Sequence, residues 1–281
     1  MAPPTFADLG KSAKDIFNKG YNHGFLKIDS TTRAGEKGDV EFKVASAHNL
    51  ATGKLGGNLD VKYKIPQYGV TLTEKWTTDN QLGTVIEVNE QFGRGLKLTL
   101  DSQYAPHAGK RSGKLKADYS LPSARVTSDF SLTSAPLINA AAVFQKESFL
   151  VGASVTFDTA SNKMTNSQLA FGQATKEYTL HSFVINSNEF GASLFHKVCP
   201  NTEIGAQLGW KVGGTGASFG VATKYSPSRD VTIRAKLNNE SQVAASVQHA
   251  LSSALKLNLT TQFNLQSNEA HKFGLGLEFE P

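Results

Sequence analysis

The chain is short of the residues that build disulfide frameworks, helical membrane anchors and secretory leaders. It holds a single cysteine, Cys199, beside Pro200 in a turn. One thiol forms no internal disulfide, and no cluster of further ligands surrounds it. No stretch approaches the about 18 consecutive apolar residues of a membrane-spanning helix, the longest run being Ala140 to Phe144. The N-terminus lacks the apolar core of a signal peptide, and Asp8 and Asp15, set among Lys11, Lys14 and Lys19, argue against an acid-poor cleaved transit peptide. The first segment is therefore expected to be retained. Proline is scarce, 9 residues against 25 glycines in 281. With 39% hydrophobic and 19% charged residues, the composition is that of a folded chain.

Catalytic signatures are missing too. Gly216-Ala217-Ser218-Phe219-Gly220 has the spacing of a nucleophile elbow, but that chemistry needs a strand-to-helix turn, and Val221, Thr223 and Tyr225 continue an alternating strand. Gly53-Lys54 is followed by Leu55 and not by the Ser or Thr of a phosphate-binding loop. His23, His48, His107, His181, His196, His249 and His271 are scattered with no pair at ligand spacing, so neither a metal site nor an enzyme is expected. A net charge of +5 and a pI near 9.1 would suit a nucleic-acid binder. No basic helix or clustered patch accompanies them, and no nucleic-acid partner is expected.

What the chain does have, almost everywhere after residue 25, is a period of two closed by Gly, Pro, Asn, Asp or Ser turns. In Val70 to Thr77 the split puts Val70, Leu72, Glu74 and Trp76 on one face and Thr71, Thr73, Lys75 and Thr77 on the other. Leu96, Leu98 and Leu100 alternate with Gly95, Lys97 and Thr99, and Phe273, Leu275, Leu277 and Phe279 with Gly274, Gly276 and Glu278. A soluble antiparallel sandwich would also alternate. Here, however, apolar faces of Phe, Leu, Val and Ala recur in strand after strand with no second set of elements to cover them. A transmembrane β-barrel gives those faces lipid and the polar faces a water-filled lumen.

Residues 1–24 read differently. Pro3-Pro4 precede Thr5, which with Asp8 resembles a capping box, so a helix is expected to start there. Phe6, Leu9, Ala13, Ile16 and Phe17 fall on one face of it, and Lys11, Ser12, Lys14, Asp15, Asn18 and Lys19 on the other. Gly20 to Gly24 allow a sharp change of direction that would bend the helix into a lumen. The division is thus an amphipathic helix with its linker, 1–24, and a barrel, 25–281. At roughly 9 to 11 residues per strand with short hairpins, the barrel residues make roughly 17 to 21 strands, a sheet that closes only around open space. Turns are expected at Gly35–Gly38, Pro66–Gly69, Asp79–Gln81, His107–Ser112, Gly213–Gly216 and Ser267–Glu269, among others.

Several long motifs then carry a resemblance over the whole length. They are Pro3-Pro4-Thr5-Phe6-Ala7-Asp8-Leu9-Gly10-Lys11, Asp15 to Tyr21, Leu72-Thr73-Glu74-Lys75-Trp76, Gly93-Arg94-Gly95-Leu96-Lys97-Leu98, Ala235-Lys236-Leu237-Asn238-Asn239, and His271 to Phe279. In these the chain resembles the mitochondrial voltage-dependent anion channels, the eukaryotic mitochondrial porins. The resemblance implies an all-β transmembrane barrel of about nineteen strands with the helix in the lumen, an odd count that makes the first and last strands parallel neighbours. One departure is Ser228, standing where the family usually has an acidic residue.

By the same resemblance the protein is a voltage-gated, weakly anion-selective channel for ATP, ADP, phosphate and chloride across the mitochondrial outer membrane. It requires no cofactor, and ATP or NAD(H) is a permeant or regulatory ligand. Nucleotide contacts are implied for Lys11 and Lys19 in the helix, and NAD(H) contacts for Gln242, Val243, Ala244, Thr260, Thr261, Gln262, Phe263 and Asn264. Parity places Glu74 toward lipid, where a carboxylate is costly and ionisable groups are functional candidates. The matching glutamate of the family is associated with lipid contact, gating and hexokinase docking. Membrane lipid, metabolite anions, hexokinase and a second copy of the chain are the implied partners.

Parity also places Lys43, Lys54, Lys62, Lys64, Lys75, Lys97, Lys114, Lys116, Lys211, Arg234, Lys236 and Lys256 inward, against Glu41, Asp60, Glu87, Asp101, Asp118 and Glu278. A basic lining concentrates anions, modestly in a wide pore with a Debye length of about 8 Å. Two other readings stand behind this one: a protein-import pore of the same barrel superfamily, which would lack the Pro3–Lys11 and Gly93–Leu98 blocks, and a soluble β-rich binding protein.

Overall fold

The structure, a computed structural model, describes residues 2–35, 38–214, 216–266 and 271–281. Nineteen strands follow one short helix. The first seven are β1 (Phe25–Ala34), β2 (Val40–Asn49), β3 (Leu55–Ile65), β4 (Val70–Thr77), β5 (Leu82–Asn89), β6 (Leu96–Ala105) and β7 (Lys110–Ser120). Then come β8 (Ala124–Ser131), β9 (Leu137–Lys146), β10 (Phe149–Asp158), β11 (Lys163–Ala174), β12 (Tyr178–Ile185) and β13 (Glu189–Cys199). The last six are β14 (Thr202–Lys211), β15 (Ala217–Tyr225), β16 (Val231–Asn238), β17 (Gln242–Ala250), β18 (Leu255–Asn264) and β19 (Lys272–Phe279). They form one sheet of antiparallel neighbours, closed by a parallel pairing of β1 with β19 in which Leu26 faces Leu275 and Ile28 faces Leu277. Closure removes the unpaired edges that lipid could not satisfy. The all-β barrel and the odd strand number expected from the sequence are both present.

The chain packs as two compact units, Met1–Asp8 with Thr31–Ala45 and Gly56–Leu169, and Leu9–Ser30 with Ser46–Leu55 and Ala170–Pro281. In the first, Pro66–Tyr68 and Pro106–Ala108 each form a single 3-10 turn ended by a left-handed glycine, Gly69 or Gly109. A Cβ at Gly69 would lie 2.7 Å from the Asn89 carbonyl oxygen, so glycine is required there by space as well as by φ. The turn expected at 267–269 lies outside the described residues, as do parts of those at 35–38 and 213–216.

The register bears out the alternation. Asp60 faces Lys75, Lys75 faces Gly83, Thr71 faces Glu87, and Lys97 faces Asp118, one polar row after another. The opposite face carries Leu72 against Ile86, Leu100 against Leu115 and Phe130 against Ile138. In the second unit Leu257, Leu259, Leu275 and Leu277 share the apolar face, and Asn258, Thr260, Gly274 and Gly276 the polar one. Apolar side chains of this face are widely exposed, Phe144, Phe219 and Phe273 among them. Among the described residues no helix is long and apolar enough to cross a membrane.

The N-terminal segment corrects one expectation. Thr5 and Asp8 do form a reciprocal pair, the Thr5 hydroxyl donating to the Asp8 carboxylate at 2.7 Å. What they cap is only a 3-10 turn, Phe6–Asp8, and the α-helix, α1, runs from Lys11 to Asn18. Between them Gly10 takes a left-handed conformation (φ 69°) and caps α1 without a side chain. His181 explains the break: its Nδ1 lies 2.6 Å from where a Cβ on Gly10 would sit.

Candidate functional site

The polar face is where the chain spends its unusual residues. In the second unit α1 lies over β13, β14 and β15. Of the stripe read from the sequence, Leu9, Ala13, Ile16 and Phe17 are buried, and Phe6, in the 3-10 turn, is half-buried. The wall beneath is hollowed to receive them. Gly205 meets Ile16 and Phe17, Gly220 meets Phe17, and Ala222 joins the same apolar cluster, with Phe195 at its side. Small residues on a face that elsewhere carries Lys, Thr and Asn are the sequence signal of a covered surface.

Polar groups then fasten the end of α1. Lys236 Nζ donates to the Phe17 carbonyl at 2.8 Å and sits 4.3 Å from the centre of the Tyr21 ring. A cation at a helix C-terminus satisfies an otherwise unpaired carbonyl and the negative end of the dipole. The Gly20 carbonyl accepts from Ser246 Oγ at 2.6 Å and Asn258 Nδ2 at 3.0 Å, and both side chains are 1% exposed. Asn22 passes so close over Gly274 that no side chain fits there, and Gly24 N–H donates to the Phe273 carbonyl at 2.8 Å. Burial of this linker pushes the Tyr21 phenol up to about 12, against the pull of Arg234. Burial, aided by Lys236 and Lys272, pushes His23 down to about 4, so its ring is neutral at pH 7. Sequence reading marked Lys236 only as one lysine of the lining and missed Ser246 and Asn258.

In the first unit, residues before α1 have their own seat. Arg125 forms a two-pronged pair with Asp118, at 2.8 and 2.6 Å, and its Nη1 reaches the carbonyl of buried Pro3 at 3.5 Å. Val143 and Leu150, apolar exceptions on the polar face, are buried on the strands that the Phe6–Asp8 turn contacts.

The residues expected to touch nucleotides are only partly brought together. Gln242 faces Asn264, Ala244 faces Gln262 and Ser246 faces Thr260, all on the polar face. Val243, Thr261 and Phe263 point to the apolar face, by the same register. Gln262 donates to Gln242 at 3.4 Å, and a cavity of about 150 Å³ is lined by Phe17, Asn18, Lys236, Gln242, Ala244 and Gln262. That volume is well below the roughly 300 Å³ at which small-molecule sites begin, and admits a fragment such as a phosphate or carboxamide, not a dinucleotide. Lys11 and Lys19 are exposed outside its lining, and Lys19 is ion-paired to Asp15 at 2.7 Å.

Glu74 lies on the apolar face between Val61 and Thr84, and the Thr84 hydroxyl donates to its carboxylate at 2.9 Å. Most of the expected basic lining also holds, with a narrower margin and without Lys54, which lies in the connection between β2 and β3. Register adds Lys27, Arg125, Lys197, Lys224 and Lys272 to it, but also Asp29, Asp129, Asp158, Glu189 and Glu203. Several opposite charges neutralise each other there, Lys97 with Glu87 at 2.9 Å, Lys211 with Glu189 at 2.7 Å and Lys224 with Glu203 at 3.2 Å. Among the described residues no group of side chains could hold a metal ion.

Comparison with known proteins agrees with this architecture. The model of the eukaryotic porin family matches residues 2–274. A probable voltage-dependent anion-selective channel of Caenorhabditis elegans is 72% identical over 281 residues, covering 100% of this chain and 99% of its own. The voltage-dependent anion-selective channel of Drosophila melanogaster is 41% identical, with 100% of both chains covered. The non-selective voltage-gated ion channel VDAC2 of Meleagris gallopavo is 42% identical, covering 99% of this chain and 94% of its own.

Proposed function

This chain belongs to the eukaryotic porin family and is a voltage-gated anion channel for metabolites, and from that premise we propose that it works in the mitochondrial outer membrane with its polar face lining the pore. The family acts as a channel and needs no cofactor. Residues 1–24 act as a separate part seated in the barrel of residues 25–281, and the exposed apolar face meets lipid. The observation that carries the reading is the polar face itself. Lys62, Lys64, Lys114, Lys116, Lys256 and Lys272 lie on it, while Glu74 is a carboxylate on the other. A pore lined this way favours anions by electrostatics alone, and modestly, because many of its charges are paired.

Gln242, Ala244 and Gln262, with Lys236, are the polar-face residues best placed to touch the phosphate or carboxamide end of a passing ATP or NAD(H), with Lys11 and Lys19 contributing charge. Glu74, exposed on the apolar face, is the group we assign to contact with lipid and with membrane-bound partners such as hexokinase or a second copy. Reversal potentials of the purified protein in a planar bilayer under a salt gradient test the reading. Anion preference in the open state is expected, and cation preference would overturn the assignment of the polar face to the pore.

A further inference from the structure

Two neighbouring rows of the polar face build a second, larger pocket, which shares Gln207 and Asn238 with the cavity beside Gln242. Register aligns His181, Ser193, Gln207, Gly220 and Asn238 straight across β12 to β16. The next row is Phe183, Gly191, Gly209 and Ser218. Phe183 lies over Gly191, where a side chain would collide with its ring, and a Cβ at Gly209 would meet only the Ser218 hydroxyl, at 2.8 Å. Gly209 thus leaves an open stretch of floor, bounded by the Phe183 ring over Gly191 and by Ser218, beside a row of hydrogen-bonding side chains. Lys14, one turn along α1 from Gly10, forms part of the enclosure, and the cavity measures about 340 Å³.

The lining is mostly polar, with Lys14 its one donor-only side chain. His181 is 6% exposed and stacks on Phe183 at 5.6 Å. Among the described residues His181, Lys14, Ser193 and Gln207 make no hydrogen bond or ion pair with other side chains. His181 is thus a covered imidazole on the polar face, and Lys14 an exposed ammonium at the rim of the same cavity. Lys14, His181 and Ser193 line one end; at the other Gln207 offers its amide, beside Ser218, whose hydroxyl donates to the Gly209 carbonyl at 3.4 Å, and Asn238, whose amide is bonded to Gln242. Glu240 is the one carboxylate of the lining.

We propose that this pocket is a binding site for a sugar monophosphate. The phosphate takes the Lys14, His181 and Ser193 end, where a charge-assisted bond and neutral donors match its oxygens. The polyhydroxy body lies along Gln207, Ser218 and Asn238 over the glycine floor, and Glu240 accepts from a hydroxyl. Size and the carboxylate both select against a nucleoside triphosphate: the volume is near the lower end of ligand sites, and a second and third phosphate would approach Glu240. The proposal rests on the channel reading only in that it places the pocket beside the permeation path.

The test uses the full chain refolded in detergent micelles, with ribose 5-phosphate as the probe and amide chemical shifts as the readout. Ribose 5-phosphate should shift the amides of Gly191, Ser193, Gly209 and Ser218 saturably, and more tightly than either ribose or inorganic phosphate does. Lys14→Met should weaken binding about tenfold, the loss of one charge-assisted bond. Gly209→Val should abolish it by filling the floor. Lys256→Met, which removes a charge elsewhere on the polar face, should change it less than about twofold. Spectral dispersion shows whether each variant is folded. Absence of saturable shifts in the native chain would overturn the site, as would affinity no better than that of inorganic phosphate, or equal weakening by Lys256→Met. The channel reading stands or falls separately, on bilayer current.

Discussion

The polar faces of β4 to β7 and of β14 to β19 are the same surface chemically inverted. On the first, long charged side chains stand opposite one another, Asp101 against Lys114 and Glu87 bonded to Lys97, with Val85 as a lone buried apolar residue. On the second, charged pairs such as Lys224 with Glu203 remain, but Gly205, Gly220, Ala222, Ala244, Gly274 and Gly276 are set among them, punctuated by Ser246 and Asn258. The difference is what lies on top. Solvated strand faces can carry any large polar residue, whereas a face covered by α1 and its linker must give up side-chain volume and supply donors for the backbone it receives.

The sharpest way to break that contrast is to put volume under the linker. Gly274→Val should unseat residues 19–24 at a cost of about 1 to 3 kcal/mol, because the added methyls meet Asn22 backbone that cannot yield as a side chain would. The readout is tryptic cleavage after Lys19 in the folded protein. Gly83→Val on β5, where the nearest atom is a Lys75 methylene at 3.5 Å, should leave cleavage unchanged. Equal effects of the two would show that the linker is not seated on β19.

Lysines sharpen the contrast next. Lys62→Met and Lys236→Met each remove one positive charge from the polar face, so both should lower anion preference slightly in reversal-potential measurements. Only Lys236→Met should also speed hydrogen exchange in α1, by about 1 kcal/mol of lost protection, since it alone bonds the Phe17 carbonyl.

The linker should also respond to acid. His23 is held neutral in the fold, with its pKa down at about 4 from an ordinary 6.5, and the charged groups beside it are Lys236 and Lys272. A depressed pKa means the unfolded or unseated segment binds the proton more readily. Linker stability should therefore be complete above about pH 6.5 and fall as pH drops toward about 4. Exchange of the Gly20 to Gly24 amides measured from pH 7 to pH 4 checks this, and His23→Phe should flatten the profile.

The smallest effect is expected at Glu74. Glu74→Gln keeps an acceptor for the Thr84 hydroxyl and removes a charge from the apolar face, so barrel stability should change by less than about 1 kcal/mol. Labelling by a lipid-soluble carbodiimide should disappear. Undiminished labelling would place the reactive carboxylate elsewhere.

Much of this was legible in the sequence, and the reason is the bilayer. Because each strand has one face for lipid and one for water, parity alone assigned Glu74, Lys75 and Lys97 to their faces, and the apolar stripe of α1 was readable from spacings of three and four. The same parity separates Val243, Thr261 and Phe263 from Gln242, Ala244 and Gln262, a distinction that a resemblance carried over by position ignores. The seat of the linker was not legible, because its bonds join residues 226 and 238 apart, Gly20 to Ser246 and to Asn258. A sign of it was present all the same, in the small residues that interrupt the polar faces of β14 to β19. Gly10 was hidden for a similar reason, since the side chain that requires it, His181, belongs to β12.

The central claim is that one face of the alternating strands borders the water-filled pore. With Cys199 replaced by serine, single cysteines placed along β6 from Leu96 to Asp101 test it directly, using a small water-soluble thiol reagent applied to the reconstituted channel. Positions 97, 99 and 101 should react and change the open-channel current, and 96, 98 and 100 should not. Reaction in the opposite phase, or at every position alike, would contradict the account.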